Sequence, residues 1–225
     1  MFNTQIYTSP SSYDLEERYS DIREEFLDQA TYEVTAQRSQ PRLPFIGQGN
    51  TARVVALKPG ELYIKTSGPW SGRETYHYGG PTRKPNLVHE MHFMEAARQK
   101  TANRDEGIYI PRTYFACKFP FLGASSMLQE ALPEDATSIE RLDIDDPEHY
   151  KHISAKLYKR IRRALGPSVM RFCASDVANS PNGVHRGNIL MNPELDPDGK
   201  IYLIDLLGKR LFRQGISRLV TATTI

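Results

Sequence analysis

Three short stretches of this chain combine residue types that could handle a phosphorylated ligand. The first is Ile46-Gly47-Gln48-Gly49-Asn50-Thr51-Ala52-Arg53-Val54, where glycines let backbone N–H groups approach phosphate oxygens that a Cβ would block. A hairpin turn with two glycines would read the same. The second is Leu62-Tyr63-Ile64-Lys65, a strand pattern ending in a lysine. Such a lysine is normally solvated unless the next helix offers it a carboxylate, and Glu90 and Glu95 are both available there. The third runs Val184-His185-Arg186-Gly187-Asn188-Ile189-Leu190-Met191, crosses a turn, and continues as Ile201-Tyr202-Leu203-Ile204-Asp205. Amide and carboxylate oxygens at neighbouring strand ends are the ligand type that Mg²⁺ takes. The bland alternative is a hairpin whose aspartate caps a turn.

Taken together and in this order, the three stretches resemble the protein-kinase-like superfamily. The first resembles the glycine-rich loop G-x-G-x-x-G-x-V, with Ala52 in place of the third glycine. Lys65 stands where kinases place the lysine that grips the α- and β-phosphates. The third resembles the H-x-G-N-I-L form of the catalytic loop found in small-molecule kinases, and Asp205-Leu206-Leu207-Gly208 stands in place of D-F-G. The resemblance covers roughly Phe45 to Gly208. It implies ATP and Mg²⁺ as cofactors, Gly47, Gly49 and Val54 around the nucleotide, and Lys65 paired with Glu90, for which Glu95 is the alternative register. It further implies Asn188 and Asp205 as metal ligands, and backbone contacts to adenine from Glu130 and Leu132 in the hinge Met127-Leu128-Gln129-Glu130-Ala131-Leu132.

Two departures bear on mechanism. The family's catalytic aspartate stands five positions before the metal-binding asparagine, and here that position is Gly183. Asp176 or His185 could replace it, each with a structural alternative: a turn aspartate, or the histidine that is commonly structural in small-molecule kinases. A pseudokinase serving as a binding module, or an AMP transferase, is the competing reading. Secondly, only 20 residues follow Asp205, which implies a truncated C-lobe. This shortening resembles the minimal kinases of the OspG and NleH type that bacterial pathogens inject into host cells by type III secretion, together with small effectors that phosphorylate a host heat-shock chaperone. That kinship implies a soluble virulence effector reaching host cytosol by a non-Sec route, a host protein as substrate, and a monomer.

The elements that must position these residues follow from periodicity and punctuation. Arg53–Leu57 and Glu61–Thr66 read as strands around a Pro59-Gly60 turn. Residues 67–85 have no period and read as a loop. Leu87, Met91, Met94 and Ala97 give helical spacing to Asn86–Lys100. Tyr109–Phe115 and Ala124–Ala131 read as strands, and Pro147–Leu165 as a helix. Residues 1–43 read as a partly disordered leader with one charged helix, open to interpretation as a secretion segment. The expected organisation is therefore α+β and two-lobed, with an N-lobe over 44–132 and a minimal C-lobe over 133–225.

Composition limits the alternatives. The net charge of +2 is too small for the field that carries a protein onto nucleic acid or anionic lipid. Hydrophobic residues at 39% and charged residues at 25% place the chain among soluble globular proteins. No run reaches the roughly 18 apolar residues of a membrane span. Cys117 and Cys173 fit no metal spacing and read as small core residues of a reducing compartment.

Overall fold

The computed structural model describes residues 4–36, 41–48, 52–68, 86–102, 107–139, 156–157, 159–165, 188–191, 199–204 and 221–224. The fold is α+β, and the chain divides into two compact units. Unit 1 comprises Met1–His92, Arg112–Ala131 and Arg218–Ile225; unit 2 comprises Phe93–Pro111 and Leu132–Ser217.

Unit 1 is built on strands β1 (Gln5–Thr8), β2 (Phe45–Gln48), β3 (Arg53–Lys58), β4 (Leu62–Ser67), β6 (Thr113–Phe119), β7 (Ala124–Glu130) and β11 (Thr221–Thr224). They form a seven-stranded sheet in the order β11-β1-β6-β7-β4-β3-β2, in which every neighbouring pair is antiparallel. Alternation along the strands separates two faces. On one, Ile6, Val55, Leu57, Leu62, Ile64, Phe115, Cys117, Phe119 and Leu128 form a core with Leu15, Ile22, Phe26, Ala30 and Val34. The last five come from helices α1 (Ser12–Arg18) and α2 (Ile22–Thr35). In α2, Ile22, Phe26, Ala30 and Val34 recur every fourth residue, so one stripe of the helix meets the sheet. Phe26 stacks on Phe115 at 6.1 Å between ring centroids, a contact worth about 0.5–1.5 kcal/mol beyond burial.

These helices replace the expected leader. Residues 5–8 form a strand between β6 and β11, and the charged stretch is two helices broken at Tyr19. The polar residues that suggested disorder satisfy backbone groups instead. Ser9 Oγ donates to the Thr113 carbonyl, and Ser12 Oγ donates to the Ser9 carbonyl at 2.8 Å.

In unit 2, strands β5 (Ile108–Tyr109), β8 (Thr137–Ser138), β9 (Ile189–Met191) and β10 (Ile201–Leu203) form a sheet in the order β5-β10-β9-β8. The single strand expected over Tyr109–Phe115 is in fact two strands in different sheets, because Pro111 has no N–H for a ladder. Helical residues 156–157 and 159–165 bury Leu157, Ile161, Ala164 and Leu165. The earlier part of the expected 147–165 helix lies outside the described residues. Gly107 fixes one corner of this unit. Its φ of +63° is the left-handed region, and a Cβ there would lie 2.5 Å from Arg160 Nη2, which donates to the Gly199 carbonyl at 2.9 Å.

Helix α3 (Leu87–Thr101) contributes its residues through His92 to unit 1 and those from Phe93 onward to unit 2. The boundary expected at residue 133 is thus an interleaved one. Among the described residues no helix is long and apolar enough to cross a membrane.

Candidate functional site

Lys65 occupies the fourth position of β4, on the sheet face opposite α2. The alternation that buries Leu62 and Ile64 against α2 turns Lys65 toward α3. Its Nζ donates to both carboxylate oxygens of Glu90, at 2.7 and 3.0 Å, and both side chains are buried. Burying two charges costs several kcal/mol per ion, which the short two-pronged contact offsets only in part.

The other candidate partner, Glu95, is engaged elsewhere. It accepts from Arg98 Nε and Nη2 at 3.1 and 2.7 Å, and from Gln99 Nε2 at 3.3 Å. Five residues beyond Glu90, it points about 140° around the helix from it. The first turn of α3 is held to the sheet by the Leu87 N–H, which donates to Ser125 Oγ at 3.1 Å, while Val88 N–H donates to Asn86 Oδ1 at 3.2 Å.

The strand registers set the other candidates around this pair. Gly47 pairs with Val54, Val54 with Lys65, and Lys65 with Met127. Directly paired residues of antiparallel strands share a face, so Gly47, Val54, Lys65 and Met127 form one row across four strands. Among the described residues, a Cβ added at Gly47 would meet nothing within 4 Å. Ala52, which stands where a third glycine was expected, is buried. Gly49 lies outside the described residues.

The hinge candidates begin where β7 ends. Glu130 N–H donates to the Arg112 carbonyl at 2.8 Å, and Arg112 N–H donates to Glu130 Oε2 at 3.1 Å. Ala131 N–H donates to the Glu61 carbonyl at 2.9 Å. The Glu130 amide is therefore committed within the sheet. Leu132 belongs to unit 2.

In unit 2, β9 and β10 make a hairpin with Ile189 opposite Leu203, and the ladder continues with Ile204 N–H donating to the Asn188 carbonyl at 3.0 Å. Half-buried Asn188 thus sits at the ladder end, opposite the residue that precedes Asp205. Asp205, Asp176, Gly183 and His185 lie outside the described residues, as does Cys173. Among the described residues no group of three or more His, Cys, Asp or Glu is placed to hold a metal ion. An amide oxygen at this position suits Mg²⁺ as one ligand of an oxygen set.

Cys117 is buried on β6, and burial pushes its thiol well above the usual range, as a core residue rather than a nucleophile. The sequence pattern carried no weight for Glu33 and Arg53, an ion pair at 3.5 Å on the other face of the sheet in which Glu33 is buried and Arg53 partly so. A carboxylate within the apolar stripe of a helix is the signal that marks it.

No family model matches the chain, and no curated protein does. Among solved structures, the aerobactin synthetase IucC from a hypervirulent pathotype of Klebsiella pneumoniae is similar at 13% identity and a TM-score of 0.37. The match covers 97% of this chain and 52% of that one, so this chain spans about half the length of the synthetase. A likeness at that level carries no argument about fold or activity.

Proposed function

We propose that the chain is a two-lobed, kinase-like phosphotransferase that uses ATP and Mg²⁺ to phosphorylate a protein hydroxyl, serine or threonine in preference to tyrosine. The observation that carries this reading is the buried Lys65–Glu90 ion pair, standing in one cross-strand row with Val54 and Gly47. A lysine ammonium in an apolar setting, held by both oxygens of a helix carboxylate, is costly to keep. It is useful where a cation must meet a polyphosphate in a fixed position.

In this reading Lys65 grips the α- and β-phosphates and Glu90 orients it. Gly47 and Gly49 let backbone N–H groups reach the phosphates, and Val54 covers the adenine. The backbones of Glu130 and Leu132 hold the adenine edge, while Asn188 and Asp205 supply oxygen ligands. When bound, Mg²⁺ would neutralise the charge that develops on the phosphates. Asp176 or His185 would take the hydroxyl proton, a smaller contribution than positioning and charge stabilisation.

A second reading rests on Gly183, which stands where a kinase carries its catalytic aspartate: a nucleotide-binding pseudokinase that serves as a binding module, or an AMP transferase. The resemblance of the Ile46–Ala52 wording to OspG-type loops also supports a bacterial effector acting on a host protein, a heat-shock chaperone being one candidate.

Purified protein incubated with Mg²⁺ and γ-labelled ATP, alone and with eukaryotic lysate, tests the assignment against Lys65→Ala and Asp205→Ala. The proposal expects label on a protein, lost in both variants. Label from α-labelled ATP instead would make it an AMP transferase, and ATP binding without either label would make it a pseudokinase.

A further inference from the structure

A polar seam lies directly behind the Gly47–Val54–Lys65–Met127 row, on the opposite face of the same strands. Gln48 pairs with Arg53, Arg53 with Thr66, and Thr66 with Ser126, each one residue along from a member of the row. Thr66 Oγ1 and Ser126 Oγ share a hydrogen bond at 2.9 Å, and both residues are buried. Helix α2 completes the seam. Arg53 Nη1 meets Glu33 Oε2 at 3.5 Å, and Gln29 Nε2 donates to Glu33 Oε1 at 3.1 Å. The Glu33 side chain is 1% exposed and that of Arg53 13%.

Apolar residues of similar volume would serve stability at least as well here, because a buried ion pair rarely repays its desolvation. Such a departure from the apolar pattern is expected where a position must be specified for function. The position specified is a telling one. Arg53 pairs with Gln48 at the end of the described β2–β3 ladder, one residue from Val54 and one rung from Gly47.

We infer that Glu33 is a positioning residue, holding Arg53 so that helix α2 sets the placement of the β2–β3 rungs, and with them Gly47, against the nucleotide phosphates. The inference rests on the nucleotide reading and adds a role for helix α2. Placement of Gly47 acts on phosphate contacts and leaves adenine contacts alone, so the expected signature is selective: affinity for Mg·ATP falls while affinity for adenosine stays.

The test measures dissociation constants of Mg·ATP and of adenosine for the full chain and for Glu33→Gln, Arg53→Met, the double variant and Phe26→Leu. All are taken at a temperature where circular dichroism shows every variant folded. Glu33→Gln and Arg53→Met are each expected to weaken Mg·ATP about tenfold, with the double variant no weaker than either, as for two residues acting as one unit. Adenosine affinity is expected to stay within twofold. Phe26→Leu, which loosens α2 without touching the pair, is expected to lower Tm and leave both affinities unchanged. Lowered Tm with unchanged Mg·ATP affinity in Glu33→Gln would overturn the role, as would equal weakening by Phe26→Leu. A wild-type chain that binds neither ligand overturns the nucleotide reading and this inference together, whereas normal wild-type binding with unaffected variants overturns this inference alone.

Discussion

Lys65 and Glu90 are read in the sequence as a strand-end lysine and one of two helix carboxylates, and the structure resolves that ambiguity through geometry. Glu90 lies on the α3 stripe that faces β4, whereas Glu95 turns to Arg98 on its own helix. The pair should behave as a unit. Glu90→Leu alone leaves an uncompensated buried ammonium and is expected to destabilise by about 3–5 kcal/mol. Lys65→Met combined with Glu90→Leu should recover most of that loss, since an apolar pair of similar volume has no desolvation cost. Urea unfolding of the single and double variants measures both. Equal losses in the two would mean that packing, rather than charge, holds the site together.

At the scale of elements, strand and helix positions around the site were legible because their patterns are local. The β3–β4 hairpin is announced by Pro59-Gly60 between alternating runs, and α3 by Leu87, Met91, Met94 and Ala97. What stayed hidden depends on partners distant in sequence. β1 is four residues long and acquires its meaning only from β6 and β11. The apolar stripe of α2 was diluted by Gln29 and Glu33, whose burial follows from Arg53 across the sheet interface. Removal of residues 1–36 therefore tests the reassignment. A disposable leader would leave Tm unchanged, whereas loss of β1, α1 and α2 should uncover the unit 1 core and abolish cooperative unfolding of the purified fragment. A second element-scale prediction concerns Gly107. Alanine there meets both a positive φ and Arg160, and should cost about 1–3 kcal/mol. Gly60→Ala, with φ +74° but open space around the Cβ, should cost only the backbone strain and lie at the low end of that range. Thermal unfolding of the two variants compares them; equal losses would mean that Arg160 yields freely.

At the scale of the whole molecule, the chain is α+β, as expected, and divides into two compact units that interleave along the sequence. The interleaving was not legible because it depends on Pro111 sending β5 and β6 into different sheets and on α3 contributing to both units. The proposed chemistry rests on a set: a glycine pair, a lysine and an Asn…Asp spacing are each common, and only their order along the chain suggests a nucleotide site. The central claim is that this order builds an ATP site around Lys65. Calorimetric titration of the full chain with ATP, with and without Mg²⁺ and alongside Lys65→Ala, tests it most directly. Saturable one-to-one binding is expected, strengthened by Mg²⁺ and weakened at least tenfold in Lys65→Ala by the loss of one charge-assisted phosphate contact. Absence of binding at millimolar ATP, or binding of equal strength in a folded Lys65→Ala chain, would contradict it.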